Sequence, residues 1–135
     1  MIKVFSQDQM IDYYTSFGVV HGEYYISIIS TGGPKGVPVF PSGHTNVITL
    51  VFDDVVEDTI KDKWPDGVGK FMAKAMTVEQ ARLLAKFIKN IPNNSLIIVH
   101  CGEGKSRSVA IAAAMRGDSM SGNEWVYSLV RDSLE

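Results

Sequence analysis

The segment 96–115 constrains the fold of this chain most, because two apolar runs flank one polar, glycine-containing loop. The run Leu96–Val99 is short and apolar throughout, which is typical of a buried strand. The run Val109–Met115 is longer and favours a helix. A loop that joins a strand to a helix N-terminus directs backbone N–H groups and the positive end of the helix dipole towards one point. The segment therefore predicts an anion-binding loop.

The only cysteine of the chain, Cys101, lies in this loop together with Arg107. The electrostatic field that binds an anion also stabilises a thiolate, which is the nucleophilic form of cysteine. The guanidinium of Arg107 offers a planar fork of donors that matches the geometry of a phosphate. A thiolate on the floor of a phosphate-binding loop indicates phosphoryl transfer through a phosphocysteine intermediate.

The loop reads His-Cys-Gly-Glu-Gly-Lys-Ser-Arg-Ser from His100 to Ser108. The His-Cys pair, the five residues between cysteine and arginine, the internal glycine and the final serine are the informative features. Together they resemble the signature loop of the cysteine-dependent protein tyrosine phosphatase superfamily, and most closely that of the small dual-specificity phosphatases. The resemblance covers about ten residues and weakens outward to Val47 and Met115. It implies an α/β domain with a mostly parallel central sheet flanked by helices.

The resemblance also implies a role for each residue of the loop. Cys101 would attack phosphorus, Arg107 would hold the equatorial oxygens, and His100 would orient the loop. Ser108 would hydrogen-bond the sulfur and help it to leave, and the alternative role for this serine is capping of the following helix. Phosphate binding is assigned to the loop residues Gly102, Glu103, Gly104, Lys105, Ser106 and Arg107.

Two aspartates compete for the role of general acid, which protonates the leaving alkoxide or phenolate. Asp54 follows the predicted strand 47–52, and dual-specificity phosphatases carry their acid at such a strand end. Asp66 belongs to the string Trp-Pro-Asp-Gly, which resembles the mobile acid loop of the tyrosine-specific phosphatases. It lies twelve positions after Asp54, however, whereas the family's loop follows its strand directly. We favour Asp54 and keep Asp66 as the second candidate, since Pro-Asp-Gly also forms an ordinary turn.

Four other interpretations of the loop have less support. A single cysteine is usually a small buried hydrophobe, but this one stands among polar and basic residues. A nucleotide-binding P-loop needs a glycine where Val99 stands. A sulfurtransferase-type thiolate loop is normally shorter between cysteine and arginine. A catalytically inactive phosphate-binding module is the fourth, and the intact Cys101 and Arg107 argue against it.

Composition narrows the class of protein further. The length of 135 residues suits one domain, which we place at 1–135. The net charge of −2 provides no basic surface for nucleic acid, and no apolar run reaches membrane-spanning length. One cysteine and three scattered histidines predict no disulfide and no metal site, and no pattern requires a cofactor. A thiol catalyst needs a reducing compartment, so we expect a cytoplasmic protein.

Hydrophobic periodicity and capping residues predict alternating strands and helices. The predicted strands are 2–5, 24–29, 47–52 and 96–99; the predicted helices are 7–17, one opened by Thr77 and Gln80, 109–115 ended by Gly117, and one capped by Asn123. Residues 53–76 are predicted as a long polar connection, and 31–36 as a turn that alternatively lines the pocket entrance. The alternation favours a mostly parallel sheet covered on both faces, whose strand ends after Ile29, Phe52 and Val99 meet at the carboxyl edge.

The sequence therefore predicts a phosphate-monoester hydrolase whose partner is a phosphorylated protein or peptide. Phosphotyrosine is the expected substrate, with phosphoserine and phosphothreonine as further candidates. Two other functions stay open: a phosphatase of phosphoinositides or of RNA 5′ ends, and a phosphopeptide-binding pseudophosphatase. Phosphatases of those non-protein substrates tend to carry more basic residues around the loop, where this chain has only Lys105 in addition to the arginine.

Overall fold

The computed structural model of the protein describes residues 1–62 and 69–135. The strands in chain order are β1 Ile2–Phe5, β2 Glu23–Ile29, β3 Val47–Val51, β4 Thr59–Lys61, β5 Phe71–Ala73 and β6 Leu96–His100. The helices are α1 Gln7–Phe17, α2 Val78–Lys89, α3 Arg107–Arg116 and α4 Glu124–Leu134, and a short 3-10 helix spans Pro34–Gly36. Within the described ranges, no helix combines the length and apolarity needed to cross a membrane.

Four of the strands form a parallel sheet in the order β1-β6-β2-β3. β6 is paired on both sides, so that Val99 lies opposite Val4 of β1 and Ile26 of β2. β2 pairs with β3 in the same direction. Because all four strands run the same way, their carboxyl ends share one edge of the sheet, and Cys101 directly follows β6 there. The predicted α/β architecture with a mostly parallel sheet is confirmed.

Hydrogen bonds between residues that are close in sequence set the boundaries of the helices. Ser6 caps α1 in a reciprocal pair with Gln9, and Thr77 caps α2 in the same way with Gln80. Gly117 ends α3 with φ of 72°, a left-handed conformation that glycine adopts without steric cost. The side chain of Asn123 accepts a hydrogen bond from the backbone N–H of Val126 and so begins α4.

Both faces of the sheet bury apolar side chains. On one face the alternate β2 residues Ile26 and Ile28 pack against α2, α3 and α4 in the larger core cluster. On the other face Tyr25 and Ile98 pack with Met10 of α1. Most residues of α3 are buried, which explains why its sequence is apolar all round and carries little amphipathic pattern. This packing holds the N-terminus of α3 against the end of β6.

Two expectations about secondary structure were wrong. The predicted long connection 53–76 contains two strands, since β4 and β5 pair antiparallel with Ile60 opposite Met72. Ile60 and Met72 are exposed and Ala73 is buried, but three residues are too few to show the alternation that marks a strand in a sequence. Helix α3 begins at Arg107, two residues before the apolar run, because the last polar residues of the loop already take helical geometry.

Candidate active site

Cys101 lies where the predicted strand, loop and helix meet, and its side chain is buried. Its Sγ accepts a hydrogen bond from the backbone N–H of Gly104 at 3.3 Å. The hydroxyl of Ser108, in the first turn of α3, lies 3.1 Å from the same sulfur. The expected contact between the serine and the cysteine is therefore present. The hydroxyl does not cap α3, which begins after Ser106 without a side-chain cap.

The surroundings of Cys101 favour its thiolate. Burial raises the pKa of the thiol, because a charged sulfur loses hydration. The side chain and backbone of Ser108, the positive charge of Arg107 and the N–H of Gly104 all lower it. The lowering contributions prevail, and the pKa of Cys101 lies below its ordinary value. The loop therefore favours the thiolate of Cys101 more than the surroundings of an ordinary cysteine do.

Arg107 is anchored to the carboxyl ends of two neighbouring strands. Its Nη1 donates to the carbonyl oxygen of Phe52 at 2.6 Å and to the hydroxyl of Ser30 at 3.2 Å. These contacts confirm that the segments after β2, β3 and β6 meet at one edge of the sheet. The residue is only 6% exposed, and its Nε has no hydrogen-bond partner among the described residues. A buried donor without a partner is costly, and an oxyanion bound in the loop would satisfy it.

His100 lies behind the loop, fully buried within the sheet. Its Nδ1 lies 3.2 Å from the carbonyl oxygen of Cys101, and its Nε2 contacts the hydroxyl of Ser27. A carbonyl oxygen only accepts, so we assign the proton to Nδ1, and the Ser27 hydroxyl then donates to Nε2. Burial lowers the pKa of His100 to about 4, so the ring is neutral at neutral pH. His100 thus contacts the backbone of Cys101 from behind the loop, which is where the orienting role implied by the resemblance would place it.

The loop is clamped from the side of β1 and α1. Gly104 has φ of 72°, and a Cβ there would lie 2.8 Å from Ser6 N and 2.9 Å from the carbonyl carbon of Phe5. Both the backbone conformation and the close approach therefore require glycine. The backbone N–H of Gln7 also donates to the carbonyl oxygen of Gly102 at 3.0 Å. The N-terminal strand and helix thus fix the shape of the loop.

The adjacent aspartates after β3 have different surroundings. Asp53 is buried, and its carboxylate accepts hydrogen bonds from the backbone and hydroxyl of Thr31 and from the backbone of Lys74, which ties three segments together. Asp54 is exposed beside the loop, where its Oδ1 accepts from the hydroxyl of Ser106 at 2.8 Å and from Nδ2 of Asn123 at 2.9 Å. The structure thus brings Asp54 to the loop, whereas Asp66 lies outside the described residues.

The turn 31–36 lies beside the loop, as its alternative interpretation expected, and it brings a basic residue to which the sequence assigned no role of its own. Lys35 belongs to the turn after β2, and its Nζ donates to the carbonyl oxygen of Gly102 at 3.4 Å. The side chains of Glu103 and Lys105, by contrast, are exposed on the loop itself. The position of the turn in the sequence was the signal for this residue, because the turn follows β2, whose carboxyl end lies beside that of β6.

No protein-family model matches the chain, and no significant match is found among curated proteins or among solved structures. Functional inference therefore depends on the geometry of the loop and on the resemblance of its short sequence.

Proposed function

We propose that this chain is a cysteine-dependent phosphatase of the protein tyrosine phosphatase type that hydrolyses phosphate monoesters. Phosphotyrosine in a protein or peptide is the proposed substrate, with phosphoserine and phosphothreonine as further candidates. The observation that carries the proposal is the buried, unpartnered Nε of Arg107 in the same loop as a cysteine whose pKa is lowered. A ready nucleophile beside an unsatisfied donor fits a tetrahedral oxyanion.

In the first step the thiolate of Cys101 attacks phosphorus, and the bond between phosphorus and the ester oxygen breaks. The product is a phosphocysteine, and the ester oxygen leaves as an alcohol or phenol once protonated. Arg107 and the backbone N–H groups of the loop stabilise the charge on the equatorial oxygens. Asp54, which contacts the loop through Ser106, is the proposed proton donor, and Asp66 remains the second candidate.

In the second step water attacks the phosphocysteine, inorganic phosphate leaves, and the cysteine returns as a thiolate. The hydroxyl of Ser108, 3.1 Å from the sulfur, would stabilise the departing thiolate by a hydrogen bond. Because a thiolate is more easily oxidised than a thiol, a reducing compartment such as the cytoplasm suits this chemistry. No step is assigned to a metal or to a cofactor.

Acid-quenched mass spectrometry tests the proposal directly. The wild-type protein should turn over p-nitrophenyl phosphate and a phosphotyrosine peptide, and the quenched reaction should show one phosphoryl group on Cys101. Cys101→Ser should abolish turnover and the adduct but retain the fold and the binding of tungstate. The exposed Ser119→Ala serves as the matched control and should behave as wild type. Phosphopeptide binding without turnover would instead identify a pseudophosphatase.

A further inference from the structure

Lys35 is held at the edge of the loop by its own turn. The carbonyl oxygen of Lys35 accepts a hydrogen bond from the N–H of Ser30 at 2.9 Å, which closes the turn directly after β2. A Cβ at Gly36 would lie 2.9 Å from the carbonyl oxygen of Ser30, so only glycine fits there. The side chain of Lys35 is half-buried, and its Nζ reaches the carbonyl oxygen of Gly102. The fold therefore fixes the backbone from which Lys35 reaches the loop.

Lys35 and Arg107 border the same space. A Cβ on Gly102 would lie 3.3 Å from Nη2 of Arg107 and 3.5 Å from Cδ of Lys35. Gly102 is the loop residue that directly follows Cys101. Lys105 differs from Lys35, because it belongs to the loop but points into solvent. The second cation of the site thus comes from the neighbouring strand's turn and not from the signature sequence.

The charge balance of the site leaves Lys35 available for a ligand. No carboxylate among residues 1–62 and 69–135 forms a salt bridge with it, since the salt bridge found there joins Lys74 to Asp58. An ammonium has three donors, and the carbonyl oxygen of Gly102 occupies one of them. A thiolate at Cys101 would offset the charge of Arg107, so Lys35 would supply a further positive charge to a dianionic ligand in addition to the N–H groups of the loop.

We infer that Lys35 is a second cationic ligand of the bound phosphate and selects dianionic tetrahedral groups over monoanionic ones. The ligand class is then a phosphate monoester in preference to a sulfate ester or a phosphodiester. This inference rests on the proposed phosphatase function and names the group that the same site discriminates. The Coulomb energy of a charge with a dianion is twice that with a monoanion at equal distance, which makes the discrimination measurable.

Tungstate and perrhenate provide the test, because both are tetrahedral oxyanions and they differ by one unit of charge. Their dissociation constants would be measured by calorimetry at pH 7.5 for wild type, Lys35→Gln and Lys35→Arg. The exposed Lys86→Gln on α2 removes the same charge far from the loop and is the matched control. Lys35→Gln should weaken tungstate binding about tenfold, the effect of losing one hydrogen bond to a charged group, and perrhenate binding about threefold. Lys35→Arg should restore most of the affinity for tungstate.

The outcomes separate this inference from the proposed function. If wild type neither binds tungstate nor hydrolyses p-nitrophenyl phosphate, the proposed function itself fails. If wild type does both and Lys35→Gln binds tungstate as wild type does, only the role of Lys35 is overturned. Equal weakening of both anions also overturns it, because a lysine that merely shapes the loop would not distinguish their charges. If the inference holds, Lys35→Gln should also lower the ratio of kcat/KM for p-nitrophenyl phosphate to kcat/KM for p-nitrophenyl sulfate.

Discussion

Replacement of Ser108 by alanine tests whether the geometry of the loop sets the reactivity of its cysteine. The hydroxyl of Ser108 is fully buried and lies 3.1 Å from Sγ of Cys101. Hydrogen bonds to charged groups contribute about 1.5–3 kcal/mol. The backbone N–H of Ser108, the N–H of Gly104 and the charge of Arg107 remain in the variant, so we expect a loss near the lower limit. The thiolate fraction below the pKa should then fall about tenfold.

Alkylation by iodoacetamide followed by mass spectrometry measures this change, because Cys101 is the only cysteine in the chain. A more basic thiolate is also more nucleophilic, with a Brønsted coefficient of about 0.4–0.5, so the alkylation rate at pH values below the pKa should fall only about threefold. The midpoint of the pH–rate profile is the sharper readout and should move to higher pH. Ser119→Ala, an exposed serine after α3, is the control. A midpoint that stays in place or moves to lower pH in Ser108→Ala would refute this account of the thiolate.

Three other predictions concern the arginine, the acid and the buried histidine. Arg107→Lys keeps the positive charge but loses the guanidinium fork and its contacts to Ser30 and Phe52. We therefore expect kcat/KM for p-nitrophenyl phosphate to fall about 10²–10³-fold. Near-wild-type kinetics would show that the fork has no special role. Asp54→Asn should slow aryl phosphates with poor leaving groups about 10²-fold or more and flatten the basic limb of the pH–rate profile, and a loss confined to Asp66→Asn would assign the acid to Asp66 instead. The pKa of His100 falls from 6.5 to about 4 on folding, so the unfolded chain binds the proton first and stability is lost as pH falls through this range. Between pH 6.5 and about pH 4, the free energy of unfolding should decrease by about 3 kcal/mol more in wild type than in His100→Asn. Urea titrations at the two pH values measure this difference. If wild type and variant lose the same free energy, the ring of His100 is not buried in its neutral form.

The sequence alone determined the features that depend on a few neighbouring residues. The strand, loop and helix around Cys101 were predicted because a short apolar run, glycines and a longer apolar run follow one another directly. The capping pair of Thr77 and Gln80 in α2 was predicted because its hydrogen bonds span three residues, whereas the reciprocal pair of Ser6 and Gln9 in α1 was found only in the structure. The contact between Ser108 and the sulfur spans only the seven positions of the loop, and the resemblance of this short sequence to the signature loop was sufficient to expect it.

The tertiary structure decided which distant groups complete the site. Arg107 is anchored by Ser30 and Phe52, which lie 77 and 55 positions away, and Lys35 reaches Gly102 across 67 positions. No local pattern encodes these contacts, because they arise only when the parallel strands bring their carboxyl ends to one edge. The strands β4 and β5 were not predicted for a related reason: each has only three residues, too few to show a periodic pattern, and each acquires its structure by pairing with the other.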